Sequence, residues 1–244
     1  DDGGGGGGSS LTASHGHLSR ARSRCVDEMV LPDFSKEALA LRSTLESLNY
    51  VNLGKDVWIQ HSQIEFIDEL GSGAAGEVFK GLLTAPSGEK HEVAIKVLRE
   101  MHKQNEVAEF KKEFQVLSAV HSPYIINFLG ACLEPKLCLC MEFAERGALY
   151  DVLQEPNLSN FGFSQLLGWA GQLCEGVRVL HANTPQILHR DLKSMNLLVS
   201  RDWQLKVADF GLSRFNDQDN LQTLVKLRGT MTHCVRGDTR VLLA

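Results

Sequence analysis

Apolar and polar residues alternate with period two in three successive stretches, IEFIDELGSG (64–73), GEVFKGLL (76–83) and HEVAIKVL (91–98). That period puts one set of side chains on each face of a pleated chain and predicts three strands. Gly71 to Gly76 and the Ser87–Lys90 turn supply the joints between them. Between 105 and 120 the spacing lengthens. Val107, Phe110, Phe114 and Leu117 recur at three- and four-residue intervals among charges, which predicts a helix. INFLGAC (126–132) and LCLCMEF (137–143) read as two further strands. A long helix follows in FSQLLGWAGQLCEGVRVLH (163–181), with Leu166, Ala170, Leu173, Val177 and Leu180 as an apolar stripe suited to core packing. Upstream, SKEALALRSTLESL (35–48) places Ala38, Leu41, Leu45 and Leu48 on one helical face, with Ser35 as a candidate N-cap.

Composition adds boundaries to this picture. The 244 residues are 43% hydrophobic and 23% charged, ordinary values for one or two globular domains. A net charge of −5 offers no electrostatic footing for a nucleic-acid partner. Residues 1–32 are rich in Gly, Ser, Arg and His and are expected to form a disordered tail. Residues 33–57 are expected to hold the short helix and a linker. The chain starts without Met and without an apolar signal core, which suggests a fragment. No apolar run approaches the length of a membrane span. Six scattered cysteines suggest no disulfide framework, so a reducing, cytoplasmic setting is expected. Cys138 and Cys140 form a C-x-C inside an apolar run and are read as small hydrophobes, not metal ligands.

Candidate chemistry clusters in four places. Gly71-Ser-Gly73-Ala-Ala-Gly76 fits G-x-G-x-x-G, a pattern shared by dinucleotide fingerprints, phosphate-covering loops and Gly-rich hairpins. A strand follows it here, where a dinucleotide site needs a helix, so a glycine flap over phosphates is favoured. Lys96 ends the apolar strand Val93-Ala94-Ile95-Lys96 and either snorkels or grips phosphates. In the second case it needs an acidic partner, for which Glu113 is the candidate and Glu109 a weaker one. The stretch from Ile187 to Asn196, ILHRDLKSMN, carries a base candidate in Asp191, a cation in Lys193 and an amide in Asn196. Val207-Ala-Asp209-Phe-Gly211 adds a carboxylate after another apolar strand. Asn196 and Asp209 offer the hard oxygen ligands that suit Mg2+ bridged to phosphates.

GSGAAGEV, VAIK, HRDLKSMN and DFG, in this order and spacing, resemble the eukaryotic protein kinases over residues 58–234. The resemblance implies an α+β, bilobal fold. Its N-lobe, about 58–143, is a five-stranded antiparallel sheet with one helix, and its mainly helical C-lobe, 144–234, is incomplete. It implies ATP and Mg2+ as cofactors. Gly71, Gly73 and Gly76 would cover the phosphates. Leu70, Val78 and Ala94 would lie against the nucleotide, Met141 at the gatekeeper position and Leu198 on the adenine floor. The backbone of Glu142 and Ala144 would bond the adenine. Lys96 would pair with the phosphates and Glu113, Asp191 would accept the substrate proton, Lys193 would steady the γ-phosphate, and Asn196 and Asp209 would hold the metal. Leu117, Phe128, His189 and Phe210 match the stacked residues that join the lobes. Ala75 departs from the family's aromatic or polar loop tip. On this reading, replacing Lys96 by Met abolishes transfer and leaves the fold largely intact.

Lys193, two residues after Asp191, and Gly229-Thr230 resemble the Ser/Thr-directed members, so the implied substrate is a protein Ser or Thr hydroxyl. Trp58-Ile59, NFLGAC, MEFAERGALYDVL and LKSMNLL resemble the tyrosine-kinase-like branch of Ser/Thr kinases, relatives of Raf and the mixed-lineage kinases. Arg190 resembles the arginine that receives an activation-loop phosphate, with Thr223 as the candidate acceptor ahead of Ser213 and Thr230. Val235-Arg236-Gly237 stands where the family has Ala-Pro-Glu. The expectation is a chain truncated before that motif, with 235–244 outside the fold. The alternative function is a catalytically dead product acting as an ATP-binding or interaction module. Oligomeric state is left open.

Overall fold

The computed structural model describes residues 35–47, 57–73, 76–98, 104–155 and 162–216. The tail 1–32, Leu48, the loop tip Ala75, Thr223, Thr230 and residues 235–244 lie outside them. Strands β1 (Ile64–Gly73), β2 (Gly76–Thr84), β3 (Lys90–Val97), β4 (Phe128–Cys132) and β5 (Cys138–Glu142) form one antiparallel sheet in the order β1-β2-β3-β5-β4. Helix α1 (Ser35–Glu46) precedes the sheet, and α2 (Gln104–Ala119) lies between β3 and β4. Then come α3 (Leu149–Val152), α4 (Phe163–Ala182) and the short strands β6 (Ile187–Leu188), β7 (Leu197–Val199), β8 (Leu205–Val207) and β9 (Arg214–Phe215). The chain is α+β, with a five-stranded antiparallel sheet built from residues 64–142.

Alternation in β3 explains the layering. Val93, Ile95 and Val97 point to one face, where they pack with Ile59, Ile64, Cys132, Cys138 and Cys140. The C-x-C thiols are therefore core residues. Burial raises both well above the ordinary thiol range, Cys140 to about 12, as expected of inert cysteines. Among the described residues no cluster of three or more His, Cys, Asp or Glu side chains is arranged to hold a metal ion. The opposite face carries Ala94 and Lys96 and looks onto α2, whose Phe110, Phe114 and Leu117 are almost fully buried. Burying each such side chain is worth roughly 1.5–3 kcal/mol.

Two expectations shift. The strand foreseen at 126–132 starts at Phe128, because residues 124–126 pair elsewhere. Ile126 N–H donates to Val207 O and Val207 N–H to Tyr124 O, both at 2.9 Å, which ties the segment to β8. The apolar stripe of α4 holds only toward its C-terminal end. Leu180 is buried and Leu173 packs on the core, but Leu166 is 43% exposed and Ala170 is exposed, while Trp169 and Gly176, outside the stripe, are buried. Contact is made by residues that hydrophobicity alone does not single out. Trp169 Nε1 donates to Trp203 O at 2.8 Å, and Gln172 Oε1 accepts from Leu205 N at 2.7 Å. A Cβ added to Gly176 would come within 3.0 Å of both Tyr124 O and Val207 Cγ2, so the missing side chain sets the closeness of helix and sheet.

Candidate active site

The glycine loop is a hairpin between β1 and β2, with Gly71 opposite Val78 and Gly73 opposite Gly76. Gly76 has φ +129°, and a Cβ there would collide with the Val97 carbonyl oxygen, so only glycine fits where β2 crosses the end of β3. Leu70 falls in a register shift between Glu69 and Gly71 and is half exposed. Cross-strand register then assembles a lining. Val78 pairs with Lys96, and Ala94 with Met141. All but Lys96 are partly open, as is Leu198 in β7. The segment after β5 is tied back to β7: Arg146 N–H donates to Val199 O and Val199 N–H to Gly147 O. This brings Ala144 near the strand that bears Leu198.

Glu142 is more than a backbone contact. Its amide donates inward to Asn127 O at 2.9 Å and is therefore committed within the chain. Its carboxylate accepts from Asn127 N at 2.7 Å and meets Lys206 Nζ at 2.8 Å, pinning the connection between the two halves to β8. Sequence reading missed this pin. The available signal was a lone lysine inside the apolar strand Leu205-Lys206-Val207.

Lys96 and Glu113 form a buried pair. Nζ lies 2.7 Å from both carboxylate oxygens, and the side chains are 9% and 6% exposed. Glu109 is exposed and takes no part. Burial pulls Lys96 down, but Glu113 and then Asp209 outweigh it and hold the ammonium above its ordinary range. Burial raises Glu113 and Lys96 opposes it, and the bidentate contact marks an ion pair. Glu113 is 4% exposed, so Lys96→Met leaves a buried carboxylate without its cation, and a loss of stability is expected where the sequence reading expected a largely intact fold.

The second half of the site hangs on the β7–β8 hairpin, in which Leu197 faces Val207. Asn196 directly precedes β7 and Asp209 follows β8 by two residues. Ala208 N–H donates to Asn196 O at 2.9 Å, so the two stand side by side. Asp209 adopts φ +60° and sets Oδ1 3.5 Å from Lys96 Nζ and 3.3 Å from Gly211 N. Asn196 Nδ2 donates to Asp191 O at 2.9 Å and to Asp191 Oδ2 at 3.0 Å. Both bonds use the amide nitrogen and reserve the amide oxygen as a ligand. One carboxylate and one amide oxygen, adjacent to the Lys96 ammonium, fit Mg2+, which keeps waters and substrate phosphates in its other positions. Lys193 Nζ reaches Asp191 Oδ2 at 2.8 Å, so Lys193 and Asn196 both hold the Asp191 carboxylate.

His189 orients this loop. Its Nε2 donates to Ala208 O at 3.0 Å, its ring lies 5.1 Å from Phe210, and burial lowers its pKa. Phe210, Leu117 and Phe128 share one buried cluster. Arg190 Nε donates to Leu212 O, and Ser213 is 2% exposed with its hydroxyl on His189 O, a poor position for a modification site.

Chemically, the arrangement brings together a fixed cation, two hard oxygen ligands and a restrained carboxylate. A family model described as protein tyrosine and serine/threonine kinase matches residues 64–233. The chain is 44% identical over 209 residues to stress-activated protein kinase alpha of Dictyostelium discoideum, covering 86% of this chain and 32% of that protein. A probable serine/threonine-protein kinase of the same organism is 48% identical over 176 residues, 72% of this chain and 20% of the relative. An ankyrin repeat-containing protein kinase A, also from that organism, is 38% identical over 203 residues, 83% of this chain and 13% of its own length. The chain thus spans about a third or less of these relatives.

Proposed function

Since the chain belongs to the protein tyrosine and serine/threonine kinase family, we propose that it binds ATP with Mg2+ and transfers the γ-phosphoryl group to Ser and Thr hydroxyls of proteins. The observation that carries this reading is the joint placement of Lys96, Glu113 and Asp209, with Asp191 and Asn196 bonded to each other beside them. Lys96, held by Glu113, grips the α/β-phosphates. Gly71, Gly73 and Gly76 let backbone amides close over them, with Leu70, Val78, Ala94, Met141 and Leu198 against the adenine. The Glu142 carbonyl and the Ala144 backbone bond its edge. Asn196 and Asp209 hold the metal, which neutralises phosphate charge when bound. Asp191 accepts the proton of the attacking hydroxyl, and Lys193 bridges this carboxylate and the transferred group. Catalysis of this kind is mainly positioning and charge complementarity.

The kinase domain is placed at 58–234, with the nucleotide-holding lobe at about 58–143 and the rest at 144–234. Lys193 and the relatives named as probable serine/threonine-protein kinases support hydroxyl substrates of Ser and Thr. NFLGAC and the hinge segment MEFAERGALYDVL support the tyrosine-kinase-like branch. Among the described residues no helix is long and apolar enough to cross a membrane, and a cytoplasmic location follows from the reduced-cysteine reading.

The test is transfer of labelled γ-phosphate to a Ser/Thr peptide library, with parallel calorimetry of Mg·ATP. The parent chain transfers phosphate to Ser and Thr. Asp191→Asn lowers turnover by about 10²–10⁴-fold while ATP affinity stays close to the parent's. Binding of ATP without any transfer would replace this reading by that of an ATP-binding module.

A further inference from the structure

We propose that helix α1 and Trp58, which precede the family-matched residues 64–233, form a brace that positions α2 so that Glu113 stays on Lys96. The inference rests on the reading of that pair as the nucleotide grip. Leu41 and Leu45 of α1 are 6% and 0% exposed and belong to the same buried cluster as Phe110 and Phe114 of α2. Phe114 is the neighbour of Glu113 in the chain. The Trp58 indole stacks on Phe114, with centroids 5.5 Å apart and an interplanar angle of 6°. Its Nε1–H donates to Glu46 Oε1 at 2.9 Å, at the end of α1. Arg42 Nε donates to the same oxygen at 2.8 Å, and its guanidinium lies 5.3 Å from the Trp58 ring centroid.

This arrangement is clamped to the sheet. Ile59 N–H donates to Ala131 O at 2.9 Å, and Ala131 N–H to Val57 O at 2.8 Å. Gly130, at φ +156°, makes room for it, since a Cβ there would stand 2.5 Å from Val57 O. Trp58 is thus fixed from its own backbone and from α1, and it presses a flat aromatic face onto the residue beside Glu113. Without that face the buried side of α2 has lost a wall. Helix positions in which Glu113 leaves Lys96 then gain population, and apparent nucleotide affinity falls by the competent fraction. Trp58 and Glu46 act through Glu113 and are positioning residues.

The experiment uses the full chain with Trp58→Ala, Trp58→Phe, Glu46→Ala, and Lys96→Met as the reference for the grip. Three quantities are read: the dissociation constant of Mg·ATP, amide exchange across α2, and the urea midpoint. Trp58→Ala is expected to weaken Mg·ATP by about 5–30-fold and to accelerate exchange in α2. Trp58→Phe, which keeps an aromatic face, stays nearer the parent, and Glu46→Ala loses about two- to tenfold. A Trp58→Ala chain with a lower urea midpoint but parental affinity and parental exchange in α2 overturns the brace. Should Trp58→Ala fail to fold, Glu46→Ala decides, and parental values for it overturn the proposal. If Lys96→Met binds Mg·ATP as tightly as the parent, the nucleotide reading has failed. The brace then stands on faster α2 exchange in Trp58→Ala and falls without it.

Discussion

Lys96 shows how burial changes the meaning of a substitution. Removing its ammonium strands the Glu113 carboxylate inside the core, so Lys96→Met is expected to lose about 3–5 kcal/mol as well as phosphate grip. Adding Glu113→Gln removes the stranded charge, and the double variant should unfold at higher urea than Lys96→Met alone. Equal midpoints would mean that Glu113 escapes to water. His189 sets a pH dependence. Its folded pKa lies below the ordinary 6.5, chiefly through burial. The unfolded chain therefore takes up a proton near pH 6.5 that the folded chain refuses. The stability this residue contributes is complete above that value and is lost as pH falls through the folded pKa. Urea midpoints of the parent should decline below pH 6.5 more steeply than those of His189→Gln. Identical slopes would remove His189 as the cause.

At the scale of elements, the glycine loop separates two kinds of glycine. Gly76 is locked by φ +129° and by the Val97 carbonyl, whereas nothing lies within 4 Å of a Cβ added at Gly71. Gly76→Ala should therefore lower the thermal midpoint, by strain of order 1–3 kcal/mol. Gly71→Ala should leave stability within about 0.5 kcal/mol and weaken only Mg·ATP. Scanning calorimetry with and without nucleotide distinguishes them. The strands and α2 were legible because their faces are sorted by a single period, as Val93, Ile95 and Val97 show. The buried face of α4 was legible only at Leu173 and Leu180, because Gly176 and Gln172 make contacts that hydrophobicity does not encode. The grip of Lys96 on Glu113 was legible only as a pairing of types. Its closeness to Asp209 depends on the β7–β8 register, which no local pattern states. The Glu142–Lys206 pin and the Trp58–Glu46 bond join residues too far apart in sequence for any periodicity to link.

Across the whole molecule, apolar exposure is uneven. Phe163 is 74%, Leu167 56% and Leu166 43% exposed on α4, a contiguous run of large side chains facing water. A solvatochromic dye should bind the native chain there, and Phe163→Lys with Leu167→Lys should reduce its fluorescence without lowering the thermal midpoint. Unchanged fluorescence would place the exposed surface elsewhere. The other end of the molecule handles its vulnerable surface differently. β4 is the last strand of the five-stranded sheet, and an open outermost strand is a template for pairing with a neighbouring chain. Val57 and Ile59 bond to Ala131 on that strand in parallel fashion. Segment 57–59 therefore occupies hydrogen-bonding positions that another copy would otherwise use for cross-chain sheet extension, and it guards solubility during the life of the folded chain.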